Sequence, residues 1–313
     1  MFHHIYLGDS EQVLKTLAGG SVSLVFTSPP YFLMRGYVDY PSYEVYLDKM
    51  YRILSECKRV LAYGRHMIIN ICDYIVEGEK YPIPSDIIQM CTKALGFKYC
   101  DDIIWVKPEG MASSASMRCG MFVKEGFPLY YKPNNIYEHI IVFRKGKIDD
   151  YSKFKRPQFI YENVVARFID YFCDVWRINP VTNIEQDHPA KFPETLPKLI
   201  IQFYTMPSED EVVLDPFLGS GTSMKVAFQL GRSSIGVELE DKYLPVIKAK
   251  VGFGQKQLIS KQVQNLVIKR ETGQLDLFKS LSNKEETIES TEVISSKDVD
   301  WRIIDERIKE THT

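Results

Sequence analysis

An apolar run of strand type, Val22–Phe26, breaks off at Thr27-Ser28-Pro29-Pro30-Tyr31, and this break restricts the fold more tightly than any other feature. An unbroken apolar run suits a strand buried on both faces, and hence a parallel sheet covered by helices. Pro29 holds Ser28 away from helical geometry, and Pro30 does the same to Pro29. The two prolines also remove two backbone donors, so nearby carbonyls have fewer partners within the chain and can face a ligand. The strand end presents a hydroxyl, a carbonyl or two and an aromatic face, equipment suited to a flat ligand with an amino group. In isolation, an ordinary Pro-Pro turn after a core strand reads the same way.

The flanking pattern alternates strands and helices. Tyr6-Leu7-Gly8-Asp9 reads as a strand end, and Ser10 opens a short helix with Val13, Leu14 and Leu17 on one side. Ser42 to Leu61 carries apolar residues at helical spacing, and His66 to Cys72 reads as the next strand. A helix is expected from Ser85, as N-cap, to Leu95, then strands at Asp102–Val106 and Ile140–Phe143. Another helix carries Leu196, Leu199, Ile200, Phe203 and Tyr204, with Pro197 tolerable in its first turn. Ser234–Leu239 follows as a strand, then a helix from Asp241. Past Gln255 the pattern weakens. Residues 270–300 are rich in Ser, Thr, Glu and Lys, as in a solvated linker, and Asp298–Thr311 has the spacing of a final amphipathic helix. The reading is an α/β fold: a mixed, mostly parallel sheet with helices on both faces.

A second strand breaks into a loop at Val212-Val213-Leu214-Asp215-Pro216-Phe217-Leu218-Gly219-Ser220-Gly221-Thr222-Ser223. A glycine-rich turn between strand and helix lets a ligand approach the backbone and meet a helix N-terminus. The third glycine of a dinucleotide fingerprint is replaced by Met224, and the Gly-Lys-(Ser/Thr) of a P-loop is absent. Glu238, at the next strand end, stands where an acid accepts bonds from ribose hydroxyls; a surface acid is the plainer alternative.

Together the two stretches resemble the DNA amino-methyltransferases that use S-adenosylmethionine (AdoMet). Ser28-Pro29-Pro30-Tyr31 matches that family's catalytic motif, (Ser/Asp/Asn)-Pro-Pro-(Tyr/Phe), and Asp215–Thr222 its cofactor motif, Asp-Pro-Phe-x-Gly-x-Gly-Thr. His188-Pro189-Ala190-Lys191-Phe192-Pro193 lies between them, and the order, catalytic loop first, looks like the permuted β class. The resemblance covers residues 5–252 and implies the Rossmann-like AdoMet-dependent methyltransferase fold. It implies a division into a catalytic half of the core (1–106), an insert with the target-recognition region (107–187, its strand 140–143 belonging to the core), an AdoMet-binding half (188–254) and a charged tail (255–313).

The same resemblance implies roles. Ser28 through its hydroxyl and Pro29 through its carbonyl would accept hydrogen bonds from the two amino protons of a base, Tyr31 would stack on it, and Pro30 would keep the turn rigid. Asp215, Pro216, Phe217, Gly219, Gly221, Thr222 and Glu238 would form the AdoMet site, with Asp215 suited to the methionine ammonium. Phe192 and Pro193 belong to a further cofactor motif, and Asp9 to the acid near the adenine, unless it is only a helix N-cap. In this family Ser-Pro-Pro-Tyr goes mostly with cytosine N4 and Asp-Pro-Pro-Tyr mostly with adenine N6. Cytosine C5 chemistry needs a thiolate, and the usual Pro-Cys dipeptide is absent. N4-cytosine ranks first and N6-adenine second. A non-catalytic DNA- or AdoMet-binding protein would not need both motifs intact, and an amide methyltransferase of RNA or protein would more often carry Asn at position 28.

The implied partner is duplex DNA, with a restriction endonuclease beside many members of the family. A net charge of −2 does not advertise nucleic acid, so the basic surface must be local. Lys153, Lys155, Arg156 and Arg167, interleaved with aromatics in the insert, are its candidates, although a solvated insertion packing its own aromatics reads alike. The six cysteines show neither a C-x-x-C pair nor zinc spacing, so no metal site is expected and the thiols read as reduced. Apolar runs are too short to span a bilayer, which suggests a cytoplasmic protein. The tail is expected to pack on its own core or to make a homodimer contact.

Overall fold

The computed structural model describes residues 1–32, 39–76, 79–107, 136–147, 168–181 and 192–252, and a backbone strand at Leu266–Arg270. The chain starts with β1 (His3–Leu7), α1 (Ser10–Lys15), β2 (Val22–Thr27), α2 (Tyr43–Val60) and β3 (Leu61–Ile71). It continues through β4 (Tyr74–Val76), β5 (Glu79–Tyr81), α3 (Ile83–Gln89), β6 (Lys98–Val106), β7 (Tyr137–Arg144) and β8 (Val175–Arg177). Then come α4 (Thr195–Tyr204), β9 (Val212–Asp215), α5 (Thr222–Gln229), β10 (Ser233–Glu238), α6 (Leu244–Val251) and β11 (Leu266–Arg270).

Nine of these strands form one sheet in the order β11-β1-β10-β9-β2-β3-β7-β6-β8. Only β7 runs against its neighbours, so eight strands point their carboxyl ends at one edge. From β2 the chain steps outward to β3, whereas from β9 it steps the opposite way to β10. The seam between β2 and β9 is therefore the topological switch point, where α/β sheets open a crevice beyond their strand ends.

Burial follows from the alternation of side chains along each strand. Leu24 and Phe26 of β2 join Ile68, Ile140, Val142 and the buried faces of α4 and α5 on one side. Val25 turns to the other side, with Met67, Ile69, Ile141 and the α2 residues Met50, Ile53, Leu54 and Cys57. Ser42 caps α2 by accepting the Val45 amide at 3.3 Å, as its place before an amphipathic run suggests.

Some expected boundaries move. The helix expected from Ser85 starts at Ile83, with Pro82 as N-cap and Pro84 in the first turn, so Ser85 lies inside it. It ends in a π-turn, Met90–Ala94, closed by Leu95 N donating to Met90 O at 3.0 Å. β3 and β6 begin earlier than their apolar cores, because β6 pairs with β7 as far back as Lys98. The β4–β5 hairpin and β8 were not foreseen, and neither was β11, which pairs in parallel with β1 beyond the point where the sequence pattern fades. Residues 298–311 lie outside the described residues.

Gly236 of β10 lies directly beneath the loop that follows β9: a Cβ there would meet Leu218 Cδ2 at 2.6 Å and Cγ at 3.0 Å. Leu218 is itself buried among Ile5, Leu7, Met224 and Ile247. Gly236→Ala is expected to lower unfolding free energy by about 1–3 kcal/mol through overpacking, read from denaturant melts. An unchanged midpoint would mean that Leu218 has room to move.

Candidate active site

The two loops singled out by sequence emerge side by side. β2 and β9 are paired neighbours, with Leu24 opposite Val213 and Val25 opposite Leu214. At their shared end Thr27 Oγ1 donates to Asp215 Oδ1 at 2.7 Å. The same oxygen accepts the Phe217 amide at 3.1 Å, and the other accepts the Ser223 hydroxyl. Asp215 is buried; burial raises its pKa, and the three donors pull against that shift. Its carboxylate is thus engaged by β2, its own loop and the first turn of α5.

The loop after β9 is fixed from several directions. Ser10 donates to the Pro216 carbonyl at 2.5 Å, and Leu218 N to Val237 O at 2.8 Å. Gly219 and Gly221 adopt φ of 55° and 82°, left-handed values that glycine takes without strain. A Cβ at Gly221 would also approach Ile247 Cγ2 at 3.0 Å. Thr222 opens α5, and its hydroxyl and that of Ser220 accept from Lys250 Nζ at 2.6 and 2.8 Å.

Glu238 closes the far side of this loop. One carboxylate oxygen accepts from Gly219 N at 2.8 Å and the other from Glu240 N at 2.9 Å. Burial pushes its pKa up to about 7, against the lowering effect of those amides. Gly8 N donates to Glu238 O at 2.9 Å, bringing Asp9 to the same edge. Asp9 is an N-cap here: it accepts from Glu11 N at 2.8 Å and from Lys49 Nζ of α2 at 2.8 and 3.0 Å.

In the loop after β2, Ser28 is half-buried at the strand end, and Pro29 is buried. Tyr31 is 4% exposed, its ring near-parallel to Tyr74 with centroids 6.0 Å apart, and its hydroxyl donates to Glu138 at 3.3 Å. Phe192 rests on Phe26 with ring centroids 5.4 Å apart, and the Pro193 carbonyl accepts Leu196 N at 3.1 Å in the first turn of α4. The structure therefore gathers Ser28–Tyr31, Asp9, Phe192, Pro193, Asp215–Thr222 and Glu238 along one edge. Lys153, Lys155, Arg156 and Arg167 lie outside the described residues, as do residues 182–191.

Thr27, Lys49 and Lys250 escaped sequence reading because each acts through a partner distant in the chain. Among the described residues no group of three metal-ligating side chains occurs, and no helix is long and apolar enough to cross a membrane. Asp215→Ala would leave the Thr27 and Ser223 hydroxyls and the Phe217 amide without their shared acceptor. A loss of roughly 3 kcal/mol or more in unfolding free energy is expected, since each unsatisfied buried group costs about 1–3 kcal/mol. A loss below about 0.5 kcal/mol in equilibrium unfolding would refute the anchoring role.

Residues 22–249 match the family model for DNA methylases of the N6/N4 type. Type II beta methyltransferase M.BslI of a Bacillus strain is 34% identical over 252 residues, which are 76% of this chain but only 26% of that longer relative. Type II methyltransferase M.MjaI of Methanocaldococcus jannaschii is 28% identical, over 82% of this chain and 93% of its own length. TTHA0409 of Thermus thermophilus, a candidate DNA modification methylase solved with S-adenosyl-L-methionine, superposes with a TM-score of 0.61 at 26% identity, covering 86% of this chain and 99% of that one.

Proposed function

Since the chain belongs to the N6/N4 DNA methylase family, we propose that it transfers a methyl group from AdoMet to the exocyclic N4 of a cytosine swung out of duplex DNA. The observation that carries this reading is the Thr27–Asp215 hydrogen bond, which ties the amino-accepting loop to the glycine loop at one sheet edge. The residues suit the cofactor. Two glycines at positive φ leave the backbone approachable, and Glu238 is an acid of the kind that receives a ribose diol. The solved relative TTHA0409 holds the same molecule.

When bound, AdoMet supplies an electrophilic methyl group on a sulfonium. An exocyclic amine is a poor nucleophile because its lone pair is conjugated with the ring. Ser28 Oγ accepts a hydrogen bond from one amino N–H and the Pro29 carbonyl from the other, off the ring plane, so the nitrogen becomes pyramidal and its lone pair is freed. Once the N–CH3 bond has formed, the methylated nitrogen gives up one proton to solvent. Pro30 keeps the turn rigid and Tyr31 supports the base, so catalysis is chiefly positioning. The base leaves the stack to reach this pocket. Asp215, already held by three internal donors, serves the site by fixing the loop rather than by meeting the ammonium.

The hydroxyl of Ser28, where an aspartate carboxylate goes mostly with adenine, favours cytosine N4; N6-adenine is the competing assignment. Incubation with labelled AdoMet and unmethylated duplex DNA, followed by mass identification of the modified nucleoside, separates the two. N4-methylcytosine is expected, and N6-methyladenine would overturn the base assignment while leaving the reaction class intact. A restriction endonuclease acting on the same site fits the Type II relatives and belongs to the same proposal.

Ser28→Ala is expected to lower kcat by about 100-fold or more, with AdoMet affinity within about twofold of wild type. An unchanged kcat removes Ser28 from the mechanism. Glu238 accepts a diol best as a carboxylate, and burial raises its pKa to about 7, so acid favours the weaker-binding protonated form. AdoMet affinity should therefore fall as pH drops through about 7, and Glu238→Gln should flatten that dependence. A wild-type affinity that is flat between pH 6 and 8 contradicts the ribose role.

A further inference from the structure

At the same sheet edge, Lys107 is alone among the described lysines in being buried, at 4% exposure. It follows the last residue of β6, and its ammonium donates to Glu138 Oε1 at 2.5 Å while lying 5.1 Å from the centroid of the Trp105 ring. Glu138, in β7, is 6% exposed, and its other oxygen accepts the Tyr31 hydroxyl at 3.3 Å. The antiparallel course of β7 is what brings its second residue to the edge where the other strands end.

A buried ion pair is weak evidence for stability, because apolar residues of similar size often serve as well. The placement of this pair, ending on the aromatic residue of the Ser28–Tyr31 loop, gives it another use. We propose that Glu138 and Lys107 are positioning residues for methyl transfer. Lys107 holds Glu138 in place, and Glu138 holds the Tyr31 phenol so that its ring and the preceding Ser28–Pro30 turn keep the geometry that receives the extruded base. The proposal rests on the reading of Ser28–Tyr31 as the base pocket. Tyr74, stacked against Tyr31, restrains the ring from the side while Glu138 restrains its far end.

The test is a double-mutant cycle on the full chain with long unmethylated duplex DNA and labelled AdoMet, reading kcat, AdoMet Kd and Tm. Tyr31→Phe keeps the ring and the buried ion pair and removes the hydroxyl that links them. It is expected to lower kcat about tenfold while AdoMet Kd stays within about twofold and Tm holds. Glu138→Gln should lower kcat at least as far, and Tyr31→Phe/Glu138→Gln should be no slower than Glu138→Gln alone. Lys107→Arg should retain more activity than Lys107→Met. If Glu138→Gln does not fold, Tyr31→Phe decides alone: wild-type kcat in that variant overturns the proposal. Strictly multiplicative losses, or AdoMet affinity falling in step with kcat, also overturn it. A wild-type protein that methylates no DNA would instead sink the underlying reading of the loop, so the two failures are distinguishable.

Discussion

Asp215 is the constraint on which the site depends. A carboxylate taken out of water without partners costs several kcal/mol. Hydrogen bonds to a charged group each contribute about 1.5–3 kcal/mol, and Asp215 has three donors. The balance holds only while β2, the loop after β9 and α5 keep their mutual placement. One buried carboxyl thus ties together the ends of two strands that are remote in sequence and paired in the sheet, and the hydroxyl of Ser28 belongs to the residue next to Thr27. The desolvation that makes this acid costly also makes its geometry exacting.

Sheet polarity does the rest. With eight strands ending at one edge, whatever follows each of them shares that edge: Gly8 and Asp9 after β1, Ser28 after β2, Lys107 after β6, Pro216 after β9. Glu238 closes β10 there. The crevice opens where the chain leaves β2 and β9 in opposite directions. Helices on both faces then keep the strand ends rigid, with α2 and α3 against Val25 and Met67 on one face and α4 and α5 against Leu24 and Phe26 on the other.

Much of this was legible in the sequence because strand-to-loop breaks are local events. The Ser-Pro-Pro-Tyr turn and the Gly-x-Gly turn announce themselves by residues whose backbone preferences are strong. Helix α2 was equally plain, its apolar stripe running from Tyr43 to Val60 with Ser42 before it. What stayed hidden is relational. Nothing in Thr27 alone points to Asp215, nothing in Lys49 to Asp9, and nothing in Lys107 to Glu138 and Tyr31. Asp9 shows the ambiguity from the other side, since an N-cap and a ligand-facing acid demand the same residue at the same strand end. The short strands β4, β5 and β8 carry too few residues for a period to show. β11 is held by its pairing to β1 rather than by a pattern of its own.

The central claim is that the Ser28 and Gly219 loops face a single cleft that holds the methyl donor and an extruded base together. A crystal structure of the chain with duplex DNA and a non-transferable AdoMet analogue tests it most directly. The account predicts the analogue's ribose on Glu238, and the target amine between Ser28 Oγ and the Pro29 carbonyl, about 3–3.5 Å from the atom that stands for the methyl. An analogue seated away from the Gly219 loop, or a base lodged where Ser28 cannot reach it, would contradict the account.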